Sequence, residues 1–159
     1  MRIEILAVGR LKDEAESSIV ARYQKRFGQT GRACGLGPLL ITEFAESRAA
    51  SAAERKSDES ARLLKAAGSA ALVVLDVAGR SLTSEDFATH LRTLTEGGTK
   101  SCAFLIGGPD GHDPAVRATQ SLPLSLGVLT LPHGLARVIL AEQLYRAATI
   151  LTGHPYHRA

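Results

Sequence analysis

The chain has 159 residues, 45% of them hydrophobic and 22% charged, with a formal net charge of +3. That size and balance fit one globular domain over residues 1–159, able to bury roughly 70% of its unfolded surface, and exclude a disordered chain. The apolar runs are all short, which excludes a membrane-spanning helix.

Apolar runs and helical patterns alternate five times along the chain. Residues 2–8 alternate, with Ile3, Ile5 and Ala7 on one side, which predicts a strand. Residues 12–27 follow with Ile19, Val20, Tyr23 and Phe27 at helical spacing, and Gly28 is the expected stop. A second strand is predicted over 38–44, then an Ala-rich helix over 47–67 closed by Gly68. The run 71–77 is almost continuously apolar, the pattern of a central parallel strand covered on both faces. Thr83-Ser84-Glu85-Asp86 supplies a cap and first-turn acids for a helix to about Thr95. Residues 101–106 predict a fourth strand. Asp113-Pro114 opens a short helix to about Ser121. Residues 126–131 are expected to be the fifth strand and 134–151 the last helix. This order predicts an α/β fold with a mostly parallel sheet flanked by helices. In such sheets ligands bind beyond the carboxyl ends of the strands. The places to search are therefore Leu75-Asp76, Gly107-Gly108 and Leu131-Pro132-His133.

Ile106-Gly107-Gly108-Pro109-Asp110-Gly111 joins an apolar strand to a helix. Its glycines permit positive φ and close approach of a ligand to the backbone. A tight structural turn is the simpler reading of the same residues. No Gly-Lys-Ser/Thr follows and the spacing is not GxGxxG, so ATP, GTP and NAD sites are poorly supported. The 134–151 helix is apolar nearly all round and needs cover on more than one side. A symmetry mate would supply it, as would a central position within one chain.

The charge is uneven. Residues 1–113 balance, whereas residues 114–159 carry Arg117, Arg137, Arg146 and Arg158 against Glu142 alone. A polyanion-facing C-terminal end is the functional reading. The tail His154-Pro155-Tyr156-His157-Arg158-Ala159 concentrates functional side chains where chain ends are ordinarily featureless. Arg binds phosphate, Tyr stacks on bases, and His exchanges protons near neutral pH. His154 and His157, without a nearby Cys or acid, make a poor metal site, and no metal is expected. Cys34 and Cys102 form neither a CxxC pair nor a disulfide framework. The start, Met1-Arg2-Ile3-Glu4-Ile5, has an acid inside its apolar stretch and no small-residue cleavage site after it. A reduced, cytoplasmic protein is the expectation.

Several of these stretches together resemble the RlmH (YbeA-like) family of SPOUT-superfamily ribosomal RNA methyltransferases. They are residues 105–111, Leu129-Thr130-Leu131-Pro132-His133, Arg137-Val138, Glu142-Gln143-Leu144-Tyr145-Arg146-Ala147 and the tail, with Ala7-Val8-Gly9 and residues 23–27 near the start. The resemblance spans essentially the whole chain, and residues 29–70 are its least diagnostic part. It implies a homodimer, a C-terminal trefoil knot and S-adenosyl-L-methionine as methyl donor. The implied substrate is a pseudouridine in 23S ribosomal RNA, methylated at N3, in the large subunit or the assembled ribosome. By position, the donor would touch Leu75, Gly107, Leu126, Gly127, Val128, Leu129, Thr130 and Leu131. Tyr156, His157 and Arg158 would close over it and meet the RNA as the catalytic group. Two other readings remain open from the residues: a ribosome- or RNA-binding module without catalysis, and a flavodoxin-like nucleotide binder. The absence of Trp and the 4% aromatic content disfavour the latter.

Overall fold

The computed structural model describes residues 1–119 and 121–157. Five strands form one all-parallel sheet: β1 (Arg2–Val8), β2 (Leu39–Phe44), β3 (Ala71–Ser81), β4 (Ser101–Ile106) and β5 (Ser121–Ser125). Their spatial order is β2-β1-β4-β3-β5. The helices are α1 (Glu14–Thr30), α2 (Ala52–Ala67), α3 (Ser84–Glu96), α4 (Pro114–Arg117) and α5 (His133–Leu151). The predicted α/β class holds, and the sheet is parallel throughout.

Strand alternation sorts the core into two halves. Ile3, Ile5, Val73, Phe104 and Ile106 face one way and pack with Phe27, Leu91, Leu140 and Leu144 of α1, α3 and α5. Leu6, Val8, Val74, Ala103 and Leu105 face the other way and pack with Leu63 and Ala67 of α2 and Val116 of α4. The nearly all-round apolar α5 touches both α1 and α3. Much of the cover that the sequence left open between a mate and a central position thus comes from its own chain, and Leu144 is fully buried there.

Local chemistry sets the element ends, and several differ from expectation. Asp13 caps α1 by accepting from Glu16 N at 2.9 Å. Gly28 does not stop this helix, which runs on to Thr30 and a 3₁₀ turn over Gly31–Cys34. Ser51 and Glu54 form a reciprocal capping box, so α2 starts at Ala52 rather than near residue 47. β3 outlasts its predicted end at Val77. Its pairing with β5 is interrupted between Leu75 and Arg80 and then resumes. Gly79 makes this possible, since a Cβ there would lie 2.8 Å from Pro123 and Leu124 backbone carbons. The largest correction concerns β5. It occupies Ser121–Ser125, not 126–131, and α4 is correspondingly only four residues long. Pro123 lowers the strand signal, but β5 pairs only with β3 and lies at the sheet edge, where a missing N–H is tolerated.

Phe104 is fully buried, with its ring edge-on to Phe87 at 5.9 Å and 70°. Phe104→Ala is expected to lower stability by about 4 kcal/mol. Denaturant unfolding checks this, with the midpoint falling at constant slope.

Candidate functional site

The carboxyl ends of β4, β3 and β5 lie side by side, and a cleft of about 560 Å³ opens there. Its walls are residues 75–77 where the pairing of β3 is interrupted, the loop from Gly107 to His112 after β4, the segment 126–132 after β5, and His133 and Ala136 of α5. Its size suits a nucleoside-sized ligand. Seven of the eight residues expected at the donor site line it: Leu75, Gly107, Leu126, Gly127, Leu129, Thr130 and Leu131. Val128 does not. It is 88% exposed and turned to solvent. Although residues 126–131 are a loop and not a strand, they reach the site in that form.

The loop after β4 is shaped by crowding. A Cβ on Gly107 would sit 3.1 Å from the Gly111 carbonyl carbon and 3.2 Å from His112 Cε1. A Cβ on Gly108 would sit 2.6 Å from Glu59 Oε2. Only Gly111 of this loop has a positive φ, +83°, and its N–H closes the turn on Gly108 O at 2.9 Å. The glycines at 107 and 108 therefore answer to space rather than to φ. A guanidinium fork from Arg55 grips Asp110 at 2.7 and 3.2 Å, and this pairing holds the Asp110 carboxyl below its ordinary pKa. On the opposite wall, Ser125 Oγ donates to Gly127 O at 2.9 Å and accepts from Gly127 N at 3.2 Å. Gly127 has a φ of +138°, so this turn requires glycine.

The start of α5 forms the third wall. Arg137, 1% exposed, pairs with Glu43 and donates to Gly9 O at 2.9 Å. Glu43 also accepts from Leu11 N at 2.9 Å. Arg137 thus ties α5 to the ends of β1 and β2. This modifies the expected polyanion-facing end, because Arg137 is neutralised inside the chain and Arg146 is paired with Glu142 at 2.9 Å. His112 and Ala136, not singled out in the sequence, line the cleft because they follow a loop and open a helix that do.

Tyr156 of the tail stands elsewhere. Tyr156 packs on Tyr145 with centroids 4.6 Å apart, under the Arg146 guanidinium. Its hydroxyl donates to Glu142 at 3.1 Å and meets the Tyr23 hydroxyl at 3.3 Å. Glu142 lies six residues, about 9 Å along the axis, beyond Ala136, the last residue of α5 that lines the cleft. Tyr156 therefore does not reach the cleft of its own chain. It is also more than a functional ornament, because it packs against the α1–α5 core. His157 ends the short Pro155–His157 turn, and Arg158 lies outside the described residues. Among the described residues no group of three or more His, Cys, Asp or Glu could hold a metal ion.

Comparison with known proteins gives the family. A family model described as Predicted SPOUT methyltransferase matches residues 1–157. The chain is 51% identical to Ribosomal RNA large subunit methyltransferase H of Mesorhizobium japonicum, and 51% and 50% identical to proteins of that name from Sinorhizobium fredii and Xanthobacter autotrophicus. Each alignment covers the whole of both chains.

Burial, the Tyr23 hydroxyl and the Glu142 charge all push the Tyr156 phenol above its ordinary value. Its contribution to stability is intact below about pH 10, the ordinary value for a tyrosine, and is lost as pH rises beyond that. Tyr156→Ala should cost about 2 kcal/mol in denaturant unfolding. Tyr156→Phe should keep the ring stack and flatten the alkaline loss of stability.

Proposed function

The chain belongs to the SPOUT methyltransferase family, and on that premise we propose that it transfers a methyl group from S-adenosyl-L-methionine to N3 of a pseudouridine in 23S ribosomal RNA. The observation that carries this reading is the cleft at the ends of β4, β3 and β5, walled by two loops that expose backbone to a ligand. The fit is steric and chemical. Gly107 and Gly127 line the cleft with backbone alone, and Leu75, Leu126, Leu129 and Leu131 offer apolar surface to a base and the donor's carbon chain. The relatives' names supply the substrate class, large-subunit ribosomal RNA.

When bound, the donor would supply an electrophilic methyl on a sulfonium, open to in-line attack at its carbon with the sulfur leaving as a neutral thioether. The chain's own residues hold that methyl against the acceptor and exclude water. The imide N3 must lose its proton before it is a competent nucleophile. His157 is the base or the group that orients the nucleobase. Arg158 steadies the resulting anion or grips a phosphate. Tyr156 anchors that pair by its stack on Tyr145. Since Tyr156 is held at Glu142, about 9 Å along α5 beyond the last cleft-lining residue Ala136 of its own chain, the tail serves the cleft of a second copy in a homodimer. The work takes place on the large subunit or the assembled ribosome, in the cytoplasm.

Incubation with donor and ribosomes, followed by mass spectrometry of the ribosomal RNA, tests the reaction. One added methyl on a pseudouridine is the expected result, and unmodified RNA overturns the reading. Donor at 100 times its Kd should stabilise the fold by about 2.7 kcal/mol. Gly107→Val should abolish that shift, because its Cβ meets the Gly111 backbone. Mixing Gly107→Val subunits with subunits cut after His154 tests the shared site. Random pairing gives about a quarter of the wild-type sites if cleft and tail come from different copies, and none if they come from the same one.

A further inference from the structure

We propose that Arg55 of α2 is a positioning residue for the donor cleft, acting through Asp110 on the loop after β4. The inference rests on the reading of that cleft as the donor site. Arg55 does not line the cleft, but Gly107, Gly108, Pro109, Gly111 and His112 do. Asp110 lies among them, and both of its carboxylate oxygens are taken by the Arg55 fork, at 2.7 and 3.2 Å. Such a bidentate pair fixes direction as well as distance.

Arg55 is itself held in place. Its Nη1 donates to Ala49 O at 3.2 Å and Ala50 O at 3.3 Å, so the guanidinium joins the segment before α2 to the cleft loop. Two neighbours on α2 reinforce the grip. Ser60 Oγ accepts from Asp113 N at 3.0 Å, where the loop turns into α4. Glu59 is 2% exposed and accepts from Ser47 N at 2.8 Å through Oε1. Its Oε2 makes no hydrogen bond among the described residues and abuts Gly108. The Glu59 charge also favours the Arg55 cation. Residues 55 and 59 stack one turn apart on α2, and with Ser60 they meet the loop at Asp110, Gly108 and Asp113.

A purely structural role does not account for this arrangement. The Arg55–Asp110 pair is about a quarter to a third exposed, and pairs of that kind add little to global stability. What it does set is where the Gly107–Gly108 backbone stands relative to residues 126–131 across the cleft. A displacement on the order of 1 Å at such a wall is enough to change ligand binding by tenfold or more.

The test measures S-adenosylmethionine affinity by calorimetry on the full-length protein, and kcat and KM for donor with ribosomes as acceptor. Arg55→Ala and Asp110→Ala should each weaken donor binding and raise its KM by about tenfold. Both should leave kcat at saturating donor within about twofold and the Tm nearly unchanged. Arg55→Lys keeps the charge without the fork and should fall between. Exchanging the two, Arg55→Asp with Asp110→Arg, should recover part of the loss. Unchanged donor affinity in the single variants, beside a wild type that binds, overturns the positioning role alone. Equal loss of kcat and affinity together with a large fall in Tm also overturns it, in favour of a structural role. A wild type that binds no S-adenosylmethionine overturns the donor-site reading itself.

Discussion

Backbone meets other groups without intervening side chains at Gly107 and Gly108, and the cleft depends on that closeness. The three strands beneath it end at nearly the same level, so their loops converge over one another. A Cβ at 107 would press on Gly111 and His112, and one at 108 on Glu59 and Val8. Either would push the loop into the space that a ligand needs or away from α2. The loop is thus squeezed from below by the sheet and gripped from the side by Arg55. Its position is decided by packing and one bidentate pair, with little contribution from φ.

The other end of the molecule is organised by a different constraint. All three tyrosines of the chain meet there. Tyr23 lies 5.9 Å from Tyr145, and Tyr145 lies 4.6 Å from Tyr156. Each ring carries an arginine, Arg22, Arg26 and Arg146 in turn. Each such contact is worth about 0.5–1 kcal/mol at a partly exposed site, and together they pin the chain end to α1 and α5. Pinning the tail at Tyr156 leaves only its last residues to act elsewhere.

Much of this was legible in the sequence, for identifiable reasons. β1 and β4 were readable to the residue because alternation and short apolar runs mark buried strands well. The cleft was readable in outline because parallel α/β sheets place ligands at strand ends. β5 was not. Ser121-Leu122-Pro123-Leu124-Ser125 is short, contains Pro and pairs on one side only, while residues 126–131 look more like a strand than the strand does. Gly127 at a φ of +138° and the outward Val128 mark that segment as a loop only in three dimensions. The charge reading was incomplete for a related reason. Counting arginines near the C-terminus does not reveal that Arg137 is buried against Glu43, 94 residues earlier in the chain. Nor does it show that exposed cations, Arg22, Lys25 and Arg26, line α1 in a stretch from Ser17 to Thr42 without a single acid. The structural part of Tyr156 was hidden too, because its partners at 23, 142 and 145 share a surface only once α1 and α5 are packed together.

The same misread segment explains why the cleft needs a cover. Val128 and Leu129 are 88% and 75% exposed, and Val77, across the mouth, is 55% exposed. In a strand Val128 and Leu129 would have been half buried by a neighbour. As a loop they form, with Val77 of β3, an apolar rim around a cleft that is itself lined by leucines. A ligand seated below could cover Leu129, which lines the cavity, but not Val128, which faces away from it. Apolar side chains gathered at the mouth of a site are a mark of surfaces that meet another molecule. In the proposed homodimer the partner's tail provides such a molecule, and closing it over the rim would remove water from the methyl-transfer site in the same step. On that proposal, the exposed apolar side chains at the mouth and the placement of Tyr156 away from its own cleft are two sides of one arrangement, in which each chain would supply one half of an active site.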